Sequence, residues 1–308
     1  MVCILGVLLL ASPALHAQDF LQKAKKYLDA GNCEKAQMAY EAYKVENPGG
    51  DAEVERRIEK CLHADSSHYL NECEYVGEEV NGRPNGQGTM TWKSGDKYVG
   101  HWENGKRSGQ GTMTWKSGGK YVGNWENDKR SGQGTMTWES GDKYVGNWEN
   151  DKRSGQGTMT WKSGDKYVGN WENDKRSGQG TLTWPGVKIN GKYHDGGEYV
   201  GNWENDKRCG RGTCTWESGD KYVGNWENGS RSGQGTYTWK SGNKYVGNWK
   251  DSERSGQGTL YWADGDVDRG TWVYDKREGT FTRTTSSGKK YYATYSHDKM
   301  TRKWRKKS

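Results

Sequence analysis

Residues 121–143 have the sequence YVGNWENDKRSGQGTMTWESGDK, and close variants of it recur along most of the chain. The spacing between copies is 23 residues. The clear copies begin at Tyr75, Tyr98, Tyr121, Tyr144 and Tyr167 and, after nine extra residues, at Tyr199, Tyr222 and Tyr245. Asp268 and Tyr291 keep the same register in two degraded copies. The chain is therefore an array of one repeated unit, and that unit decides the fold.

Aromatic and glycine residues alternate with polar residues within the unit. Tyr121, Gly123 and Trp125 are two residues apart, so in a strand they all point to one side. In the second segment the same alternation puts Gly132, Gly134, Met136 and Trp138 on one side and leaves threonines on the other. The equivalent core residues predicted for the preceding copy are Tyr98, Gly100, Trp102, Gly109, Gly111 and Trp115.

Turn-forming residues separate the two segments. Asn127-Asp128 lies between them and Ser140-Gly141 follows them, so each copy predicts a two-stranded hairpin. A lone hairpin of this kind is marginally stable, whereas hairpins in series bury their faces against each other. The sequence thus predicts a mainly β protein, an elongated meander of repeated hairpins.

The pattern Tyr-x-Gly-x-Trp, a turn and then Gly-x-Gly resembles the MORN repeat. The resemblance covers residues 75 to about 280, with eight clear copies from 75 to 267. Some proteins with MORN repeats carry a lipid-kinase or a methyltransferase domain. Residues 64–74 and 280–308 leave no room for either domain, so the resemblance implies no such activity here.

Residues 18–64 show helical periodicity instead. Breaks at Gly31-Asn32 and at residues 47–50 divide them into three helices, with Asn32 and Asp51 as the expected caps. The predicted buried faces are Phe20, Ala24, Tyr27 and Leu28, then Ala36, Ala39, Tyr40 and Tyr43, then Val54, Ile58 and Leu62. This segment resembles a tetratricopeptide unit with a following helix, which implies an adaptor or a cap. Residues 65–74 are predicted to be a polar linker, and residues 75–308 the repeat array with its basic tail.

Residues 1–17 have the features of a secretory signal. An apolar core precedes Pro13 and a short stretch that ends at Ala17, where cleavage is expected. The apolar core is too short to span a bilayer. Because no Lys or Arg follows Met1, the true initiator is expected upstream, and a buried amino-terminal strand or helix is the alternative interpretation. Cys3 is not in a lipobox. We therefore expect an exported bacterial protein, in the periplasm, at the outer membrane or outside the cell.

The composition indicates which partners to expect. Only 30% of residues are hydrophobic, but 17 Trp and 19 Tyr supply rings that each bury a large area. The net charge of +7 is modest and both signs are mixed within the repeats, so no nucleic-acid partner is predicted. Only the tail from Arg302 to Lys307 concentrates basic residues.

The residues needed for catalysis are scattered. None of the six His recurs with the period, and the recurrent acids such as Asp128 and Asp142 lie in or beside turns, which predicts a solvated rim. No phosphate-binding loop or nucleophile elbow occurs. We therefore predict no enzyme and no cofactor. The run from Asp264 to Asp268 resembles the start of a calcium loop, but its glycine spacing is wrong and a turn is the preferred interpretation.

The cysteines fit an oxidising compartment. Cys33 begins the second predicted helix and Cys61 ends the third, so we predict a disulfide between them. Cys209 and Cys214 are five residues apart on one strand and are predicted to be unpaired or intermolecular thiols. Cys73 is left unassigned.

The insertion between Trp184 and Tyr199 contains Asn190-Gly191, a strong signal for a type I′ hairpin turn. It is either a neutral insertion or a projection that offers Ile189 and Tyr193 to a partner. The overall prediction is a non-enzymatic scaffold that binds protein partners of the cell envelope. The alternative is a carbohydrate- or lipid-headgroup-binding protein, with a glycan or membrane surface as its contact. Rings buried within the sheet favour the scaffold, and a solvent-open row of rings favours the alternative.

Overall fold

The structure is a computed structural model that describes residues 13–30, 32–59, 61 and 73–306. The chain divides into two compact units, residues 1–106 and residues 107–308. Most of the predicted signal and most of the predicted linker, together with Leu62, lie outside the described residues. The first helix begins at Pro13 and so includes the residues expected to precede the cleavage point.

Three helices are described in the first unit. They are α1 (Pro13–Asp29), α2 (Cys33–Glu46) and α3 (residues 52–59). The Asn32 side chain accepts a hydrogen bond from the backbone of Lys35 and so caps α2. Asp51 accepts one from the backbone of Val54 and caps α3 in the same way. The predicted caps are therefore in place. No helix in the described ranges is long and apolar enough to cross a membrane.

The helices share a small apolar core. Most of the predicted faces contribute to it, and the Tyr40 hydroxyl also bonds to the Asp51 carbonyl at 2.8 Å, which ties α2 to the start of α3. Ala17, about one turn before the predicted face of α1, and Leu21, which lies between Phe20 and Ala24 of that face, join the core as well. The buried residues are Ala17, Leu21, Ala24, Leu28, Ala36, Tyr40, Tyr43, Val54 and Ile58.

The first unit also contains three antiparallel strands. They are β1 (Cys73–Val80), β2 (Arg83–Trp92) and β3 (Lys97–Glu103), and β2 pairs with both neighbours. The predicted linker was placed at residues 65–74, but β1 already begins at Cys73 because Cys73 and Glu74 pair with the end of β2.

The second unit is built from hairpins in sequence. Its strands are β4 (Lys106–Thr114), β5 (Lys120–Glu126), β6 (Lys129–Thr137), β7 (Lys143–Glu149), β8 (Lys152–Thr160), β9 (Lys166–Glu172), β10 (Lys175–Trp184), β11 (Val187–Ile189), β12 (Lys192–His194), β13 (Gly197–Glu204), β14 (Lys207–Trp216), β15 (Lys221–Glu227), β16 (Ser230–Thr238), β17 (Lys244–Lys250), β18 (Glu253–Tyr261), β19 (Val267–Val273), β20 (Lys276–Thr284), β21 (Lys290–Ser296) and β22 (Lys299–Lys306). Each strand pairs antiparallel with the next, except around the insertion. There β10 pairs directly with β13, and β11 and β12 form a separate two-stranded sheet. The predicted mainly β meander of hairpins is confirmed.

Two kinds of turn join the strands. Asn127 and Asp128 both have positive φ, 48° and 67°, as a type I′ hairpin turn requires. At the other end of the repeat, the Gly141 amide donates to the Trp138 carbonyl and Gly141 has a φ of 94°. The side of the sheet that carries Tyr121 and Trp125 is buried, while Val122 on the opposite side is exposed.

Candidate functional site

The tyrosine of each repeat lies flat over two glycines. Tyr121 is fully buried, and its hydroxyl donates to the Asn124 carbonyl at 3.0 Å. A Cβ atom added to Gly134 would lie 2.5 Å from ring atom Cε2 of Tyr121. One added to Gly123 would lie 2.5 Å from the Gly134 Cα atom on the paired strand. Both glycines are therefore needed to make room for the ring.

The first glycine of the Gly-x-Gly pair has a different role from the one predicted. Gly109 and Gly132 are exposed and adopt positive φ, 56° and 52°, instead of joining the buried face. The register of β5 and β6 shifts after Gly123, and this bulge rotates Gly132 out of the alternation. The prediction that Gly109 and Gly132 belong to the aromatic face is therefore wrong.

Tryptophan residues link neighbouring repeats through ring edges. Tyr121 makes an edge-to-face contact with Trp125 of its own repeat, at 5.2 Å between centroids. It makes a second one with Trp148 of the next repeat, at 5.5 Å. Edge-to-face geometry is favourable because the positive ring edge meets the negative ring face. The same two contacts recur at Tyr144 and Tyr167, so the buried rings form a continuous row.

An arginine covers each tryptophan of this row. The Arg130 guanidinium lies 4.2 Å from the Trp148 ring centroid. Its Nε donates to Asp151 Oδ1 at 3.0 Å and its Nη2 donates to the Asp151 carbonyl at 2.9 Å. Among the described residues six arginine–aspartate pairs of this kind occur: Arg107–Asp128, Arg130–Asp151, Arg153–Asp174, Arg176–Asp206, Arg254–Asp275 and Arg277–Asp298. The last arginine covers Tyr295 instead of a tryptophan. These aspartates lie at a partly exposed rim, as the sequence predicts, and in addition they bind arginine across repeats, which the sequence does not predict. The signal for this pairing is the recurrence of Arg at one position of a repeat and Asp at one position of the next, 21 residues apart in regular copies and 30 residues apart across the insertion.

A second row of tryptophans is only half-buried. Trp115 and Trp138 lie just beyond the ends of their strands, where their backbone amides close the turns onto Gly119 and Asp142. Their indoles are partly open to solvent, unlike the row described above. The residues of this row are Trp92, Trp115, Trp138, Trp161, Trp184, Trp216, Trp239 and Trp262.

The repeats also match a known family. The profile of the MORN repeat matches residues 75–97, 98–120, 121–143, 144–166, 167–186, 199–221, 222–244 and 245–267. These segments cover more than half of the chain. The chain belongs to the MORN-repeat family. Their boundaries are those predicted from the 23-residue period, and the chain is accordingly a repeat protein.

This MORN protein is also similar to solved structures. One similar structure is the SAS-4 (dCPAP) TCP domain in complex with a proline-rich motif of Ana2 (dSTIL) from Drosophila melanogaster. It is 11% identical, the match covers 71% of this chain and 97% of that chain, and the TM-score is 0.26. No curated protein matches the sequence.

The insertion in the MORN array forms a hairpin. Asn190 and Gly191 have φ of 49° and 77°, the type I′ turn predicted for them. The side chains of Ile189 and Tyr193 are exposed, with relative exposures of 52% and 59%. The Tyr193 hydroxyl donates to Glu217 at 2.9 Å, and this hydrogen bond raises the pKa of Tyr193. The structure therefore places Ile189 and Tyr193 on one small exposed element but on opposite faces of it, because Ile189 pairs with Lys192 and Tyr193 with Lys188.

The cysteines occupy two environments. The Cys33 and Cys61 sulfurs are bonded, with their Cα atoms 5.6 Å apart, so the disulfide joins the start of α2 to the end of the third helical segment. Cys214 lies fully buried in the MORN array, and burial raises the pKa of its thiol to about 11. Cys209 is half-buried and burial raises its pKa too. Cys73 is buried at the start of β1.

The acidic run from Asp264 to Asp268 forms a turn and an ion pair. Gly265 has a φ of 92° and its amide donates to the Trp262 carbonyl. Asp268, 1% exposed, accepts from Arg283 Nε at 2.7 Å and from the Trp262 indole at 2.9 Å. Within the described ranges, no group of three or more His, Cys, Asp or Glu residues could hold a metal ion.

The degraded MORN copy that begins at Asp268 exchanges the positions of ring and glycine. Asp268 stands where the other copies have Tyr, and Phe281 stands where they have the second glycine. Phe281 is fully buried, and a Cβ atom added to Gly270 would lie 2.5 Å from its ring. The ring thus fills the same space from the opposite strand. Arg283, in place of the usual Met, neutralises the Asp268 carboxylate.

Proposed function

We propose that this MORN protein is an exported, non-enzymatic scaffold or adaptor that binds proteins of the cell envelope through its repeat sheet. Export rests on the signal-like residues 1–17. The helical unit, with its resemblance to a tetratricopeptide unit, would serve as an adaptor or a cap beside the array.

The burial of the main ring row supports a scaffold. Tyr121, Trp125 and their equivalents pack against the sheet itself and are covered by arginines, so they are not available to a ligand. A repeat sheet of this kind displays its exposed side chains at a regular spacing, and partners bind such surfaces over several units.

The exposed hairpin of residues 187–194 is the observation that carries the proposal. Its base is fixed to the following repeat, because Ser218 N donates to Asp195 Oδ1 at 3.1 Å and Glu217 N donates to the Gly196 carbonyl at 2.9 Å. Its strands leave the Ile189 and Tyr193 side chains more than half exposed. Apolar and aromatic side chains held out on a fixed element are typical of binding anchors.

The test removes the hairpin or only its anchors. Deletion of residues 187–195 and the double substitution Ile189→Ser, Tyr193→Ser should leave the melting temperature nearly unchanged, because neither touches the ring row. Both should abolish capture of the protein partner that the parent chain retains from envelope extract. The control is Val122→Ser with Val145→Ser, which removes two exposed apolar side chains from the regular sheet. Equal capture by the hairpin variants and the parent would refute the role of the hairpin.

A second candidate function follows from the half-exposed tryptophan row. Partly open indoles at a regular spacing can stack on sugars or on choline-like cations, which is the alternative expected from the sequence. Titration with oligosaccharides or phosphocholine, followed by quenching of tryptophan fluorescence, tests it. Binding that weakens in Trp138→Ala and Trp161→Ala would favour the alternative, and no quenching would reject it.

A further inference from the structure

Two arginines of the row lack the aspartate that the other six bind. The position equivalent to Asp151 is occupied by Gly229 opposite Arg208 and by Ser252 opposite Arg231. Among the residues that the structure describes, no carboxylate lies within ion-pair distance of either guanidinium. Arg208 and Arg231 belong to consecutive repeats, so they lie about 10 Å apart, two strand spacings of ~4.8 Å.

The backbone and indole contacts of these two arginines are as in the paired repeats. At Arg231 the Tyr237 ring, 5.2 Å from the guanidinium, takes the place of the usual Met. Arg208 lies 4.3 Å from the centroid of Trp226, and the Gly229 amide still donates to the Arg208 carbonyl at 2.9 Å. Arg231 lies 4.5 Å from the centroid of Trp249 and donates from Nη2 to the Ser252 carbonyl at 2.7 Å. The guanidinium groups are thus held in the orientation that elsewhere binds a carboxylate. Only the carboxylate is missing.

The surface over Arg208 and Arg231 has a depression. Small residues replace larger ones at three positions, with Gly229 and Ser252 for Asp and Cys214 for Met. An open depression of ≈ 540 Å³ lies over Arg208 and Arg231. The half-buried indoles of Trp184 and Trp216 line it, together with Trp203 and Trp226 of the buried row. Its volume is in the range of ordinary ligand sites.

The neighbouring acids are already engaged. Asp206 binds Arg176, Asp275 binds Arg254, and Asp220 accepts from the Tyr237 hydroxyl at 2.7 Å and from the Lys240 amide at 2.9 Å. Burial meanwhile lowers the pKa of Arg208 and Arg231, because a partly dehydrated charge is unfavourable. An anion that enters the depression would offset that cost with charge-assisted hydrogen bonds.

We propose that Arg208 and Arg231 bind two carboxylates of an acidic segment in the partner protein. The intact pairs provide the stereochemistry, an arginine stacked on an aromatic ring with Nε–H donating to an aspartate oxygen. The proposal rests on the proposed scaffold function and names the chemistry of its partner. In a polyproline II segment, which has three residues per turn and a rise of ~3.1 Å per residue, two aspartates three residues apart lie on one side and about 9 Å apart, close to the spacing of the arginines.

The experiment uses the full chain and a fluorescein-labelled Gly-Ser peptide with two aspartates three residues apart, measured by fluorescence anisotropy. The parent should bind the peptide, more weakly at high salt, and should not bind the same peptide with asparagines. The decisive variant is Gly229→Asp with Ser252→Asp, which fills both sites with the carboxylates that the other repeats carry. It should fold at least as well as the parent and bind the peptide at least tenfold more weakly. Gly119→Asp, which adds an acid to a regular turn, is the charge control and should bind like the parent.

Several outcomes would overturn the proposal. Peptide binding that survives Gly229→Asp with Ser252→Asp, or that does not distinguish aspartate from asparagine, would do so. A third outcome concerns phosphatidylserine vesicles. If the parent binds these vesicles but not the peptide, and the filled variant binds neither, the anion is a lipid phosphate or carboxylate and the proposal is refuted. The hairpin deletion separates the proposed scaffold function from the proposed arginine site. If it abolishes capture while the filled variant captures normally, the scaffold function stands and the arginine site is refuted.

Discussion

Substituting Gly134 by alanine tests the packing of the repeat most directly. The new methyl group would occupy the space of the Tyr121 ring, 2.5 Å from Cε2, with the Gly123 backbone on the paired strand preventing retreat. Tyr121 is fully buried between Trp125 and Trp148, so the ring cannot move aside without losing its edge contacts. We therefore expect Gly134→Ala to destabilise the repeat.

The structure can respond to the new methyl group by expelling the Tyr121 ring or by spreading the two strands, and the response with the lower free-energy cost is expected. Expelling the ring would expose ~150–250 Å² of aromatic surface, which costs roughly 4–6 kcal/mol at ~25 cal/mol per Å². Spreading the two strands to admit the methyl group costs about 1–3 kcal/mol for overpacking. Loss of the hydrogen bond from Tyr121 to the Asn124 carbonyl adds about 1 kcal/mol to this cost. Spreading is the cheaper response, and the expected loss of unfolding free energy is about 2–4 kcal/mol.

Urea denaturation followed by tryptophan fluorescence measures this loss. Hydrogen exchange of peptides from residues 121–143 shows whether it is local, which matters because repeat arrays can depart from two-state unfolding. Gly119→Asp is the matched control, since other copies carry Asp or Asn at that position, and it should change stability by less than ~0.5 kcal/mol. If Gly134→Ala and Gly119→Asp have the same midpoint, the ring does not need the glycine and the packing argument fails.

Three further predictions concern titration and redox chemistry. Mass mapping of non-reduced peptides should recover the link between Cys33 and Cys61. Its reduction should accelerate hydrogen exchange in the helices, because a bond that closes a 28-residue separation stabilises by roughly 3–4 kcal/mol; both cysteines freely alkylated would remove the disulfide. Burial raises the pKa of Tyr167 and Tyr222 to about 12 from an ordinary value of 10.0, so the folded state favours the neutral phenol. This contribution to stability is complete below pH 10 and is lost as the pH rises towards 12, and ultraviolet absorbance of phenolate with parallel melts should show both changes together; tyrosines that titrate at their ordinary pKa would contradict the buried row. The Cys214 thiol, whose pKa burial raises to about 11, should resist alkylation at pH 8 in the folded chain and react once urea unfolds it; equal rates in both states would place it at the surface.

Periodicity and residue type account for most of the fold. Tyr121 and Trp125 recur in phase with glycine, and this fixes the strands, the buried face and the boundaries of the eight repeats. The bulge at Gly132 could not be predicted from alternation, because one extra residue in one strand leaves the hydrophobic pattern of the other unchanged. The ion pair of Asp128, a half-exposed residue of the predicted rim, could not be predicted for a related reason. Its partner Arg107 belongs to the preceding repeat, 21 residues away in the sequence. Alternation within a single repeat does not show that these two residues are neighbours.

The contacts between neighbouring MORN repeats also bear on how the array can change in length. Residues 121–143 meet residues 144–166 through a tyrosine, a tryptophan and an arginine–aspartate pair, and residues 144–166 meet residues 167–186 through the same set. If one 23-residue unit within this stretch is removed or duplicated, the repeats that become neighbours have the same contact residues as the original neighbours. Such an event alters the number of copies without creating a new junction to be optimised. Each product would have the same tyrosine, tryptophan and arginine–aspartate contacts at every junction of this stretch.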